Sequence, residues 1–362
     1  MDTLFKNAYF GKSFMMIGDE LNFCFNCAYC RANDNKKLHY HILPSEINPY
    51  FINIPVAVNC FYGDPMLQIE NTKYLLKQLE NAHHKGPVFI ITKGDVSLMD
   101  NEQYDLDLHI GLSTCGLGAE NFDGGYWERF LKNCEYCHKH NYAFHIEFRP
   151  IIKNVNDSDE SFKAVIEQAS KYNVAIGYCG LQVSDNLKER LKEKEIVFEP
   201  YSEYGFSLKK FISKEIEDKF ISMTNQYNVE IHKKTSCIVS SQKNKRDYNA
   251  HYYRPNEVGC KSCPNEKICS EFHSHMYIDM QYLKDLIPFD FEVVDETGHI
   301  CSLYANGLCK FPSNDCLNIS GKFIKINEKI TTSDVRIIKW LTGMTVIAEF
   351  EEIPYINKKW IK

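Results

Sequence analysis

The sequence predicts an α/β fold, a partial (β/α)6 barrel, from one sequence pattern and one rule of chain topology. Short apolar runs alternate with segments of helical apolar spacing from residue 15 to about 183. Because strand-helix-strand crossovers share one handedness, such repeats build a parallel sheet that opens out or curls into a full or partial barrel. The predicted strands are Met15 to Ile17, Pro55 to Asn59, Val88 to Thr92, Leu108 to Ser113, Ala143 to Phe148 and Val174 to Leu181.

Helices are predicted between and after these strands. Apolar residues recur at helical spacing from Ile69 to Leu79 and from Phe162 to Tyr172. The charged stretch from Asp185 to Glu195 predicts a solvated helix, and residues 209–228 predict another. In such a fold, the chemistry is expected at the carboxyl ends of the strands.

The pattern divides the chain into three predicted parts. Residues 1–184 form the partial barrel, residues 185–276 form a helical extension with a cysteine-rich segment, and residues 277–362 form a small α+β domain. In the last part a helix is expected over Asp334 to Leu341, capped by Thr332 or Ser333.

The composition narrows the functional class. The net charge of -6 argues against a broad nucleic-acid surface, which is usually basic. The first residues lack the layout of a signal peptide and no apolar run reaches about 18 residues, so we expect a cytoplasmic protein without a membrane partner. In that compartment the 15 cysteines favour metal or redox chemistry over disulfides.

Three of these cysteines, Cys24, Cys27 and Cys30, closely follow the first predicted strand. Three thiolates can hold a 4Fe-4S cluster and leave its fourth iron open for a substrate or cofactor. The alternative is a structural zinc site, which needs four ligands, and no fourth cysteine or histidine follows before His39 and His41.

This loop, with Tyr29 before its last cysteine, resembles the signature loop of the radical S-adenosylmethionine superfamily. That family usually has three and then two residues between its cysteines, whereas this chain has two and two. Four later segments resemble, in order and spacing, the branch containing spore photoproduct lyase, and the resemblance covers residues 15–183. These segments are Tyr62-Gly63-Asp64-Pro65, Ile91-Thr92-Lys93, Gly111-Leu112-Ser113-Thr114, and Arg149-Pro150-Ile151-Ile152 with Asn156-Asp157.

The resemblance implies a fold of the radical S-adenosylmethionine type and a site for that cofactor. In the family the glycine-rich turn after the second strand contacts the amino group of the methionine moiety, which assigns Gly63, Asp64 and Pro65 to this contact. Tyr29 and Thr92 lie in matching segments and are assigned to the cofactor as well.

Three further residues are candidates on the same resemblance. Ser113 would reach the ribose or carboxylate of the cofactor, and Arg149 would either pair with that carboxylate or form a structural ion pair with Glu147. Cys60 precedes the turn, as a hydrogen-donating cysteine does in spore photoproduct lyase, where the spacing is one residue shorter. We predict a catalytic role for Cys60, with simple burial as the alternative.

A second cysteine group lies outside the repeated units. Cys260, Cys263 and Cys269, with Cys237 as the fourth ligand, could hold a second iron-sulfur cluster or a zinc ion. By contrast, Cys134 and Cys137 extend the helical stripe of Tyr126 and Phe130, which predicts core packing.

The resemblance implies reductive cleavage of S-adenosylmethionine to a 5′-deoxyadenosyl radical, with electrons from a donor such as flavodoxin or ferredoxin. The branch suggests a nucleic acid or nucleotide as substrate, whereas the second cysteine group suggests a peptide or small molecule. The alternative hypothesis is a zinc-stabilised module that binds nucleic acid or protein without catalysis.

Overall fold

The computed structural model of the chain describes most of the predicted barrel and parts of the remainder. The described residues are 9–10, 14–18, 25, 27, 29, 54–60, 63–119, 122–181, 185–193, 212–243, 265–269, 280–300, 317–342, 344–351 and 359.

One eight-stranded sheet forms the centre of the protein, with its strands in chain order. The first strand is antiparallel to the second, and every later strand is parallel to the one before it. The predicted α/β fold with a parallel sheet is confirmed. The strands are β1 (Tyr9–Phe10), β2 (Met15–Ile17), β3 (Val56–Val58), β4 (Pro87–Thr92), β5 (Asp107–Thr114), β6 (Phe144–Ile151), β7 (Ile176–Gly180) and β8 (Ile231–His232).

Helices connect these strands and cover the sheet. In β4, Val88 and Ile90 belong to the same buried cluster as Leu76 of the first helix, whereas Phe89 packs on the opposite face with Val239. This alternation is the period-two pattern of a strand with both faces buried. The helices of this part are α1 (Ile69–Asn81), α2 (Trp127–Lys139), α3 (Asp159–Tyr172), α4 (Asp185–Glu193), α5 (Lys214–Gln226) and α6 (Thr235–Gln242).

Helix α3 shows how local sequence sets these boundaries. The Ser158 side chain accepts a hydrogen bond from the backbone N–H of Ser161, and Asp159 and Glu160 place negative charge in the first turn. The helix ends at Asn173, whose left-handed backbone favours asparagine. In α2, the expected packing of Cys134 and Cys137 is confirmed, since both are fully buried.

Strand β8 extends the sheet beyond residue 184, because Ile231 and His232 pair with Ile176 and Gly177 of β7. Sequence periodicity does not predict this strand, since it has only two residues. The division of the chain at residues 184 and 276 stays a prediction.

The carboxyl-terminal part combines helices and strands, as predicted. Its helix cap differs from the prediction: Thr331 Oγ1 accepts from the backbone N–H of Asp334, and the Asp334 carboxylate accepts from the backbone N–H of Thr331. This reciprocal capping box fixes the helix start earlier than Thr332 or Ser333 could. The elements are α7 (Met280–Leu286), β9 (Phe291–Ile300), β10 (Leu317–Ile326), β11 (Ile330–Thr331), α8 (Thr332–Thr342), β12 (Thr345–Ile347) and β13 (Phe350–Glu351).

Strand β10 lies between β9 and β12, and β11 pairs with β13. Within the described part of the chain, no helix has the length and apolar character needed to cross a membrane.

Candidate functional site

The cysteine loop contacts segments that follow the carboxyl ends of β4 and β5. Its described residues are Phe25, Cys27 and Tyr29, whereas Cys24 and Cys30 lie outside the described residues. Tyr29 stacks on Phe122, with ring centroids 5.5 Å apart. This contact brings part of the predicted cluster loop to the edge of the sheet where chemistry was expected.

Asp123 is the centre of this contact. Its buried carboxylate accepts hydrogen bonds from the Cys27 thiol at 3.4 Å, the Tyr29 hydroxyl at 3.0 Å and the Cys115 backbone N–H at 2.9 Å. Lys93, just past the end of β4, donates to it at 2.8 Å. One side chain thus joins the cysteine loop to two neighbouring strand ends.

Charge pairing keeps both members of the Lys93–Asp123 pair ionised despite their burial. Burial acts to lower the pKa of Lys93, but the Asp123 carboxylate and nearby thiols outweigh it and raise that pKa. Burial acts to raise the pKa of Asp123, but Lys93 and the hydrogen bonds hold it below its ordinary value. Lys93 Nζ also lies 5.7 Å from the centroid of the Tyr29 ring.

The Cys27 sulfur also accepts a hydrogen bond, from the backbone N–H of Gly124 at 3.4 Å. Burial raises the pKa of the Cys27 thiol to about 11, so metal binding must displace its proton. A buried cysteine sulfur held by a backbone N–H suits iron-sulfur ligation, in which such hydrogen bonds stabilise the thiolate. Among the described residues, no three His, Cys, Asp or Glu side chains are grouped closely enough to bind a metal ion.

The predicted Gly63-Asp64-Pro65 turn follows β3 and is fastened to the end of β4. The Asp64 carboxylate accepts from the backbone N–H groups of Met66 at 2.9 Å and Lys93 at 2.8 Å, and from the Thr92 hydroxyl. Burial raises the pKa of Asp64, although these hydrogen bonds oppose the shift. The structure therefore brings Asp64 and Thr92 together, and each side chain holds the other.

Ser113 and Arg149 lie farther along the sheet. Ser113 is paired in register with Glu147, so it lies beside that residue on the neighbouring strand. Arg149 Nε is 2.7 Å from Glu147 Oε2, and Thr235 of α6 accepts from Arg149 and donates to Glu147. Burial acts to raise the pKa of Glu147, but Arg149 and the other partners lower it to about 2. The ion pair between Arg149 and Glu147 is formed.

Helix α6 also carries Cys237, one of the predicted ligands of the second site. The Asn265 side chain donates to the Ser240 carbonyl at 2.8 Å, which places the segment of residues 265–269, including the buried Cys269, against α6. Cys260 and Cys263 lie outside the described residues.

Cys60 is half-buried between β3 and β4. Its thiol donates to the Val58 carbonyl at 2.9 Å and accepts from the Ile91 backbone N–H at 3.2 Å. Burial raises the pKa of this thiol to about 12. The thiol therefore occupies a hydrogen-bonding position between the strands.

Comparisons with known proteins give matches among solved structures. No protein-family model matches the chain, and no curated protein matches it in sequence. A radical SAM methyltransferase from Sphaerobacter thermophilus has 13% identity and a TM-score of 0.42, with 60% of this chain and 64% of that chain covered. A spore photoproduct lyase variant with bound AdoMet and dinucleoside spore photoproduct has 12% identity and a TM-score of 0.42, covering 58% and 71%. Streptococcus suis SuiB bound to S-adenosylmethionine has 12% identity and a TM-score of 0.42, covering 66% and 55%.

These solved structures are radical S-adenosylmethionine enzymes. The chain spans 64% of the methyltransferase and 55% of SuiB, and the ligands named above are those of the solved proteins.

Asp123 and Gly124 are the site residues that the motif comparison missed. They lie in Phe122-Asp123-Gly124-Gly125, between β5 and α2, and no segment resembling the radical S-adenosylmethionine family includes them. The available signal was positional: an acidic residue and two glycines follow a strand at its carboxyl end, where such folds carry their functional groups.

Proposed function

We propose that this protein is a radical S-adenosylmethionine enzyme whose 4Fe-4S cluster is held by Cys24, Cys27 and Cys30. The observation that carries the proposal is the fastening of the cysteine loop, through Asp123, to the carboxyl ends of β4 and β5. This is the edge at which parallel α/β folds bind their ligands. When bound, the cluster supplies the electron for reductive cleavage of S-adenosylmethionine to a 5′-deoxyadenosyl radical.

The residues of the neighbouring turns would bind and orient the cofactor. Gly63, Asp64 and Pro65 would contact its amino group, and the Thr92 hydroxyl would support this turn by holding Asp64. Tyr29, stacked on Phe122, would exclude water beside the cluster.

Ser113 and Arg149 would complete the cofactor site. Ser113 would reach the ribose or carboxylate from the end of β5. Arg149 uses Nη1 for Thr235 and approaches Glu147 with Nε, whereas its Nη2, which is buried beside Gly177, has no hydrogen-bond partner within the described part of the chain. We propose that this nitrogen binds the cofactor carboxylate, because guanidinium groups bind carboxylates well.

A second metal site is proposed at Cys237, Cys260, Cys263 and Cys269, with a further iron-sulfur cluster or zinc as its occupant. The contact between Asn265 and Ser240 supports it, since it holds the Cys269 segment against the helix that carries Cys237.

The substrate is proposed to be a nucleic acid or nucleotide, or else a peptide or small molecule, and the electron donor a flavodoxin or ferredoxin. Iron-sulfur ligation needs reduced thiols, which suits a cytoplasmic protein.

The test compares the wild type with a Cys24→Ala, Cys27→Ala, Cys30→Ala triple variant, both purified and reconstituted without oxygen. The variant should lose about one four-iron cluster per chain and all dithionite-dependent release of 5′-deoxyadenosine, because no thiolate remains to hold the cluster. A Cys134→Ala, Cys137→Ala variant is the matched control, since it removes two core cysteines of α2 that take no part in the site.

Release of 5′-deoxyadenosine by the triple variant would contradict the proposal. Zinc in place of iron in the wild type would favour the non-catalytic binding module. The metal that remains in the triple variant identifies the occupant of the second site.

A further inference from the structure

Asp123 contacts more of the first cysteine loop than any predicted site residue among those described. It binds Cys27 and Tyr29 from that loop, Lys93 after β4 and the backbone of Cys115 after β5. Gly124, the next residue, donates its N–H to the Cys27 sulfur. These contacts bridge sequence separations of 96, 94, 30 and 8 residues for Asp123, so they fix the loop against distant parts of the chain.

We propose that Asp123 is a positioning residue that fastens the cysteine loop to the strand ends and, with Lys93, sets the reduction potential of the cluster. The effect on the reduction potential rests on the proposed function, because it requires a cluster at Cys27. The fastening of the loop concerns the polypeptide alone.

Charge balance explains why Lys93 is part of this arrangement. If Cys27 bound iron as a thiolate, it would no longer donate a hydrogen bond to Asp123, and its sulfur and the neighbouring carboxylate, which are 3.4 Å apart with the thiol protonated, would carry like charges. The Lys93 ammonium, 2.8 Å from the carboxylate, compensates that repulsion. The Gly124 N–H adds a donor to the same sulfur.

Reduction adds a negative charge to a cluster, so nearby charges shift its potential in predictable directions. Asp123→Asn removes an anion and keeps an oxygen acceptor, and it should raise the midpoint potential. Lys93→Met removes a cation from the same pair and should lower it when the titration is run at a pH that keeps Asp123 ionised without its partner. A residue that only supports the fold would not give shifts of opposite sign.

The control pair lies at the other end of β5. Asp107 forms an ion pair with Lys243 at 2.6 Å. Asp107 is the first residue of β5 and Thr114 is the last, so the two ends of this eight-residue strand are about 23 Å apart. Asp107→Asn and Lys243→Met therefore change the same charges far from the cysteine loop, and in both variants the midpoint potential of the cluster at Cys24, Cys27 and Cys30 should equal that of the wild type.

The potentials are measured by redox titration followed by electron paramagnetic resonance on the reconstituted full-length protein. Unchanged potentials in Asp123→Asn and Lys93→Met at normal iron content would overturn the charge role while leaving the proposed function intact. A wild type that binds no iron-sulfur cluster would overturn both the proposed function and the role in setting the potential.

The fastening role is tested without a cluster. In the full-length protein stripped of iron, Asp123→Ala should increase alkylation of Cys27 by iodoacetamide several-fold, measured by mass spectrometry of that cysteine, because the loop loses its anchor. The Asp107→Ala variant should match the wild type. Equal alkylation of Cys27 in the wild type and Asp123→Ala would overturn the fastening role.

Discussion

Gly124 should be irreplaceable in the contact between the cysteine loop and the rest of the site. A Cβ atom at this position would lie 2.1 Å from the Phe25 carbonyl oxygen and 2.5 Å from the Phe25 Cβ. A carbon-oxygen contact needs about 3.3 Å, so Gly124→Ala must separate the two segments by about 1.2 Å. The nearest atom belongs to the backbone and cannot rotate away.

This displacement has two consequences. Overpacking of this kind costs about 1–3 kcal/mol in free energy of unfolding. It also lengthens the hydrogen bond between the Gly124 N–H and the Cys27 sulfur, now 3.4 Å, beyond useful reach. The loop of Cys27 would then no longer be held in the position from which Cys27 could bind iron.

Gly125 supplies the matched control. The three atoms nearest to a Cβ atom there all belong to the Lys93 side chain, with its Cβ and Cδ at 3.3 Å, so Gly125→Ala needs a shift far smaller than Gly124→Ala does. After anaerobic reconstitution, Gly124→Ala should retain less than about half of the wild-type iron at the first site, whereas Gly125→Ala should retain nearly all of it. Equal iron loading and equal Cys27 alkylation in the two variants would refute this account of the loop contact.

Two further predictions concern the half-buried Cys60 and the buried His84, which lie outside the cysteine loop. Cys60→Ala should preserve cleavage of S-adenosylmethionine. Altered substrate products would support hydrogen donation by the thiol. Unchanged products with a loss of about 1–3 kcal/mol in stability would show that Cys60 serves only to pack the strands and to accept the hydrogen bond of the Ile91 N–H. Burial lowers the pKa of His84 to about 4 from 6.5, so protonation of the unfolded chain should remove up to about 3 kcal/mol of stability as the pH falls from 6.5 to 4. In urea unfolding at several pH values, His84→Asn should weaken the dependence of stability on pH, whereas a substitution of the neighbouring exposed residue, His83→Asn, should leave it as in the wild type. An equal change of stability with pH in His84→Asn and the wild type would contradict the prediction.

The strands of the barrel could be predicted because their signal is local. Each predicted strand from Met15 to Leu181 overlaps an observed one, since apolar runs between helical patterns are characteristic of parallel sheets. Strand β8 could not be predicted in this way, because two residues carry no periodicity. The cap of α8 was misplaced because Thr331, Thr332 and Ser333 are all suitable cap residues and only the side chain of Asp334 distinguishes them.

The site was predictable only where a motif carried it. The Gly63-Asp64-Pro65 turn and Thr92 were assigned by resemblance, and the structure adds that their side chains bind each other. Asp123 carries only a positional signal, as an acidic residue after the end of a strand, and nothing nearby predicts its partners Cys27 and Tyr29, which are more than 90 residues away in sequence. A contact of that kind becomes evident only when the sheet brings the strand ends together.

Lys93 shows how the two halves of the site are coupled. Its backbone N–H donates to Asp64, which holds the proposed cofactor turn, and its side chain donates to Asp123, which holds the cysteine loop. Because the two bonds use different atoms of one residue, Lys93→Met should remove the second and keep the first. A cofactor bound at the Gly63-Asp64-Pro65 turn and a cluster bound at Cys27 would therefore be positioned from the same residue just past the end of β4, and displacement of either segment would alter the distance between them.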